Sequence, residues 1–508
     1  MSDIKKSLLK NSSWNWLLFL INAVITFWMS PFLVHHLGNE RYGFWTIIVS
    51  LIGYYGLMDI GIRNALVRFV AKFHAEQNFE KLNQVVCTGF AVFCCAAGGT
   101  LVASLVLAFS IPGPFSISPG LLDEARLTIL VVGFGFALQF PLNALSGILI
   151  GLQRYDITAR ATIAMTVGQS ICYVIALSRG YSLVAIALLN SLSGILTLAY
   201  MSWRGVRMLP GLRVRLGVAS WSMFREMLSY SSFVFVIGVA GRLFTYTAPL
   251  IIAAKLDLGA VAIYSIPVML VTYASNIVNN FSRVLQPFAS STQAAGKQDA
   301  LAQTALWSSL VGLMIYMPIF ILVFTIGRDF ILIWMGHSFA DGVVTVLPVL
   351  SVAYILAIAE MPLENILMGM GQVRVLTIIL ITESLVNIAL MMLLIPRFGL
   401  DGAAWATALP LIVSRGLLVP RLASKTVGFP LRRFYLDVLG RQVLLMLPLL
   451  GGALLVRSLV AVNGYLMLTV ISAVVCVIWV IIALVGTSDG RVLYSRLRAK
   501  MTTPAAAG

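Results

Sequence analysis

The stretch FVFVIGVAGRLFTYTAPLII, residues 233–252, decides how this chain is read. It has the length of about 20 residues that a bilayer core about 30 Å thick requires. It also carries Arg242 close to its middle. A guanidinium at that depth costs roughly 2.5–3.5 kcal/mol on insertion scales, so it must face protein or water rather than acyl chains. Tyr246 lies one turn on, and Thr245 and Thr247 flank it. Arg242 is therefore expected to look into a polar cavity and meet an anionic group there. The alternative is an arginine that pairs with a carboxylate or backbone carbonyls and only holds helices together.

Outward from this segment the chain repeats the pattern. Of its 508 residues 60% are hydrophobic and 11% charged, against about 25% charged in a soluble domain. Apolar windows separated by charged or Gly/Pro breaks give about fourteen spans, which makes this an all-α polytopic membrane protein. A barrel is excluded because the apolar runs are continuous rather than alternating. The basic start of the chain leads into an apolar run with no small-residue cleavage site, and is read as an uncleaved first span.

If the N-terminus is inside and the spans alternate, inside segments hold 27 of the 35 Lys and Arg and outside segments hold 7. This bias predicts cytoplasmic termini. Arg415 counts among the inside residues, which leaves Arg242 as the one basic residue placed deep in a span. The net charge of +16 is thereby explained without nucleic acid, with anionic lipid as the expected contact. The inside segments VRFVAKFHAEQNFEKLNQ and LRVRLGVASWSMFREM read either as amphipathic surface helices or as solvated loops. The five cysteines lie in apolar runs and lack metal-ligand spacing. There is no GxxxxGK[ST] and no HExxH, so neither ATP hydrolysis nor zinc hydrolysis has a motif to rest on.

The two halves resemble each other at an offset of 218 residues. Ile148, Leu149 and Gly151 match Ile366, Leu367 and Gly369, and Pro31 matches Pro249. The offset spans six helices, an even number, so the copies are parallel repeats about an axis along the membrane normal. The expected domains are 1–215 and 216–425, two six-helix lobes, followed by 426–508 with two extra helices and a tail. By this repeat Val24 is the counterpart of Arg242, with Asn22 nearby.

The motifs LGNERYGFW (37–45), LMDIGIRNALVRFVA (57–71), GLQRYD (151–156), VAIYSIP (261–267) and GLDGAAWAT (399–407) together resemble the Wzx-type polysaccharide flippases. Those belong to the multidrug/oligosaccharidyl-lipid/polysaccharide exporter superfamily, which also includes the lipid II flippase and the MATE drug exporters. The resemblance covers essentially the whole chain. It implies two lobes around a V-shaped cavity and export of an undecaprenyl-pyrophosphate-linked oligosaccharide across a bacterial inner membrane by alternating access. An H+ or Na+ gradient is the implied energy source, and a polysaccharide polymerase and chain-length proteins are implied partners. Relatives often carry an acidic or amide residue in the seventh span. Here that neighbourhood reads RLFTYTAPL, so no carboxylate transfers to that helix.

On this reading Arg242, Tyr246, Asn22, Arg63, Asn276 and Asn279 are candidates for substrate contact. Arg suits a diphosphate because its planar fork donates two hydrogen bonds and stays charged. Asparagines would donate to sugar hydroxyls, although helix–helix hydrogen bonds are their commoner use in lipid. Arg63 follows Asp59 by four residues, so a pair on one helix face is the competing expectation. Glu383 and Glu360 are candidates for ion coupling, with Glu364 nearer the cytoplasmic surface; a carboxylate tied to an arginine or to hydroxyls is the competing role. The rival functions are a MATE-like small-molecule exporter, which would favour an acidic cavity, and a membrane-embedded glycan polymerase or ligase, which would need long outside loops.

Overall fold

In the computed structural model the apolar runs are helices, and no strand occurs among the described residues, 2–486 apart from 60, 111–114, 116 and 210. The basic tail with Arg491, Arg496, Arg498 and Lys500 lies outside them, as does part of the 111–124 loop. By contact the chain divides into two compact units, Met1–Ala262 and Ile263–Gly508.

The first unit contains α1 (Ser2–Tyr55), α2 (Ile62–Ala75), α3 (Phe79–Ser110), α4 (Leu122–Gly151), α5 (Tyr155–Ser178), α6 (Leu183–Arg207) and α7 (Trp221–Lys255). Its core joins Ile62, Leu66, Phe69 and Phe73 of α2 to Val86 and Phe93 of α3, Phe140 and Ile148 of α4, and Met227 of α7. Close packing of α4 rests on small residues: Gly133 lies against Ser104 and Gly135 against Ser191, as expected where helices associate without a hydrophobic drive. The sequence repeat starts its second copy at 216, yet α7 packs on α1, α2 and α3 and so groups with the first unit.

The second unit begins inside α8 (Leu258–Ser282). It continues through α9 (Leu285–Ala294), α10 (Gln298–Met335), α11 (His337–Gly342), α12 (Val346–Gly369), α13 (Val373–Val413), α14 (Val419–Val427), α15 (Leu431–Arg433), α16 (Arg441–Leu459) and α17 (Tyr465–Gly486). The extra helices α16 and α17 pack on α10. Arg457 of α16 forms a bidentate pair with the buried Asp329 of α10 at 2.6 and 2.7 Å.

Twelve helical runs among the described residues are long and apolar enough to cross a membrane, where the sequence suggests about fourteen spans. The difference lies in two runs, Trp16–Asp59 of 44 residues and Val373–Val427 of 55, each about twice the length of one crossing. Both bend at a glycine, Gly38 at φ 76° and Gly399 at φ 57°, in a conformation that other residues rarely adopt. The two basic segments do not form single surface helices. The first is broken at 76–78 between α2 and α3, with Gln77 at φ 55°. The second is irregular up to Ser220, apart from one 3-10 turn at Leu216–Val218.

Three prolines inside the helices of the second unit share one remedy. Proline lacks an N–H, so the carbonyl four residues earlier loses its helical partner. Pro318 frees Met314 O, which accepts from the Trp479 indole at 2.7 Å. Pro410 frees Ala406 O, which accepts from the Asn387 amide at 3.0 Å. Pro420 frees Gly416 O, which accepts from the Tyr435 hydroxyl at 2.5 Å. Trp479 is buried, and its N–H serves α10 from α17. Trp479→Phe keeps most of the ring and deletes the donor. A loss of about 1 kcal/mol is expected, the scale of interhelical hydrogen bonds in lipid, read as a lower melting temperature in detergent. An unchanged melting temperature would mean the bond contributes nothing.

Candidate functional site

In the first unit the end of α1 carries Gly53 and Tyr54, Gly56 opens the 3-10 turn that follows, and α7 lays Arg242, Tyr246 and Thr247 against them. Gly53 packs so closely on the Tyr246 ring that any side chain there would collide with it. A Cβ on Gly56 would stand 2.8 Å from Arg242 Nη2. The two glycines, three residues apart, therefore leave room for two bulky side chains four residues apart. Tyr54 OH and Thr247 Oγ1 are hydrogen bonded, and Thr247 Oγ1 also donates to Leu243 O at 2.6 Å. The guanidinium runs back along its own helix, with Nη1 3.2 Å from where a Gly238 Cβ would be. This is the direction in which helical side chains lean.

Arg242 is half-buried and forms no ion pair among the described residues. Its acidic neighbour is Asp59, which interacts electrostatically with both Arg242 and Arg63. The helical pair expected between Asp59 and Arg63 is not formed. Asp59 ends a 3-10 turn (Gly56–Asp59), and Gly61, at φ 71°, starts α2 afresh. The four-residue spacing thus no longer puts the two on one helix face. Asp59 Oδ1 accepts instead from the Gly61 N–H at 2.6 Å. Arg154 is bound to Asp156 at 3.0 Å. A groove of about 660 Å³ between α2 and α7 is lined by Arg68, Lys72, Arg225 and Glu226 beside the exposed Trp221. Asn22 on α1 is half-buried, and its neighbour Val24, the repeat counterpart of Arg242, is exposed. Asn276 and Asn279 are half-buried on α8, in the second unit.

The second unit brings Glu360 and Glu383 together, around a residue the sequence reading assigned to a cytoplasmic segment. Arg415 donates from Nη1 to Glu360 Oε2 at 3.0 Å and to Glu364, and from Nε to Glu383 Oε2 at 3.0 Å. Ser414 donates to the same Glu383 oxygen. Glu360 and Glu383 are buried, while the Glu364 and Arg415 side chains are 17% and 16% exposed. Arg242 is therefore not the only arginine placed within the helices. The turn that carries Arg415, Ser414–Leu418, is a π-helix; such single-turn insertions recur at functional sites. Glu360 Oε1 and Asn387 Oδ1 are buried without a hydrogen-bond partner. Sequence reasoning missed Arg415 because the charge is followed at once by Arg421 and Lys425. A signal was present: Arg415 falls inside the apolar window 400–420 that the same reading treats as a span.

The chain is similar to the uncharacterized membrane protein EpsK of Bacillus subtilis (strain 168), 23% identical over 440 residues, covering 85% of this chain and 86% of that one. It is similar to a putative O-antigen transporter of Shigella flexneri, 24% identical over 421 residues, covering 81% and 97%. Among solved structures its fold resembles an inward-facing multidrug resistance transporter of the MATE family, with TM-score 0.68, 12% identity and coverage of 81% and 95%. It equally resembles the lipid II flippase MurJ in an inward closed conformation, with TM-score 0.68, 14% identity and coverage of 91% and 98%. A family model matches residues 8–293, more than half of the chain, and this polytopic membrane protein accordingly belongs to the Polysaccharide biosynthesis protein family.

Proposed function

We propose that the chain is a flippase that carries a polyprenyl-diphosphate-linked oligosaccharide, of the undecaprenyl kind, from the cytoplasmic to the periplasmic leaflet of a bacterial inner membrane. It does so by alternating access, as a multi-pass protein with both termini in the cytoplasm. The observation that carries this reading is Arg242: a half-buried guanidinium in a membrane helix, fitted against Gly56 and left without an ion pair among the described residues. A diphosphate supplies two anionic groups of the geometry that guanidinium binds. A site built for cationic drugs would not present an arginine that forms no ion pair. Arg63 on α2 adds a second positive charge that also interacts with Asp59, and Tyr246, Asn22, Asn276 and Asn279 are the polar groups proposed to meet the glycan. Transport is proposed to draw on an ion gradient through Glu383 and Glu360. The lipid-linked oligosaccharide is the substrate; a polymerase and chain-length proteins act on the product afterwards.

Deleting the gene while the glycan pathway stays active should leave lipid-linked oligosaccharide on the cytoplasmic face, scored by its failure to label with an external lectin or protease-free periodate probe. Unchanged export in a strain without a paralogue would refute the reading.

A further inference from the structure

The cluster in the second unit has one guanidinium for three carboxylates. Fully ionised, it would hold two uncompensated negative charges around Glu360, whose side chain is wholly buried. A buried charge without a partner is far more costly than a buried neutral group. The imbalance falls on one atom. Glu360 Oε2 takes Arg415 Nη1 at 3.0 Å, whereas Glu360 Oε1 is buried and receives no hydrogen bond. Glu383, by contrast, accepts from both Ser414 and Arg415, and Glu364 is partly exposed. The charged and titratable groups that face this centre are Glu360, Glu364 and Tyr354 from α12, Glu383 from α13 and Arg415 from the π turn. Arg415 is the one cation among them.

We infer that Glu360, in this conformation, carries a proton on the oxygen that Arg415 does not reach, and that this proton is the coupling ion. The inference rests on the flippase reading for its role and on the cluster alone for its existence. A proton is preferred to sodium because the guanidinium already bonds all three carboxylates and takes the position from which a cation would bridge them. Two edges of the cluster offer the proton a path. Glu364 and Arg415 are partly exposed on one edge. On the other, Glu383 and Ser414 line a cavity of about 250 Å³ with Thr382. When Glu360 gives up the proton it becomes a third anion on Arg415, and the π turn supplies the slack for the guanidinium to answer. The proton moves to Glu364 or Glu383 and then to water, so the step is a transfer between carboxylates with no other reactant.

Infrared spectroscopy on the full chain in lipid nanodiscs tests the inference. At neutral pH the wild type should show the carbonyl stretch of a protonated buried carboxyl, absent in Glu360→Gln and retained in the exposed control Glu76→Gln. Glu360→Gln should melt at the wild-type temperature, because an amide replaces a neutral acid of the same shape. A missing band, a band that sodium chloride removes at constant pH, or a Glu360→Gln variant that fails to fold would overturn the proton site. A band lost in Glu360→Gln, together with normal glycan export after gene deletion, would keep the site and discard the flippase reading.

Discussion

Arg415→Ala should leave little folded protein in the membrane. The substitution removes the only cation between three carboxylates, two of them buried. Breaking a buried pair by deleting one partner costs about 3–5 kcal/mol because the other charge is stranded. That is a large part of the roughly 5–15 kcal/mol that holds a folded domain together. The loss should be reversed in part when the stranded acids are neutralised in the same chain, as in Arg415→Met with Glu364→Gln and Glu383→Gln. Fluorescence-detected size-exclusion and a melting curve in detergent measure both. An Arg415→Ala protein as abundant and as stable as the wild type would mean that water reaches the carboxylates and that the cluster is not a closed site.

Arg242→Ala should have the opposite profile: normal abundance and lost translocation. Among the described residues Arg242 has no ion pair to break, and its half-buried acidic neighbour Asp59 keeps the Gly61 N–H, so no fully buried charge is stranded. What goes is the charge-assisted contact to phosphate proposed above, worth about 1.5–3 kcal/mol, or about 10- to 100-fold in translocation rate. Arg242→Lys should retain part of the rate, since it keeps the charge and loses the two-pronged geometry. Flux of labelled lipid-linked oligosaccharide in proteoliposomes reads all three. Wild-type flux in the alanine variant would eliminate the phosphate contact.

The membrane class and the family were legible in the chain because they depend on local pattern. Apolar length is a property of each segment, and motifs such as LGNERYGFW and GLDGAAWAT stand around the two glycine bends, Gly38 and Gly399. The sites were half legible. Arg242 stands out because nothing else in residues 233–252 is charged. Its fit to Gly56 is a meeting of residues far apart in the chain, which no window of sequence contains. Arg415 was hidden by its neighbours: a charge at the end of an apolar run looks cytoplasmic unless the helix is known to continue, as it does here through the π turn into α14. The Asp59–Arg63 spacing misled for a local reason, since i to i+4 reasoning assumes an unbroken helix and Gly61 breaks this one.

The three carbonyls freed by Pro318, Pro410 and Pro420 are each fastened by one side chain from outside their own helical segment, Asn387 reaching Ala406 from the far side of the Gly399 bend. A helix whose missing bond is supplied from outside behaves like a door on a latch. It can swing at that point by releasing one indole, amide or hydroxyl, while its own ladder of hydrogen bonds stays intact. Two of the three latches, at Ala406 and Gly416, bracket Ser414 and Arg415. Any rearrangement of that helix would therefore register first at Asn387 and Tyr435, before the carboxylates change company.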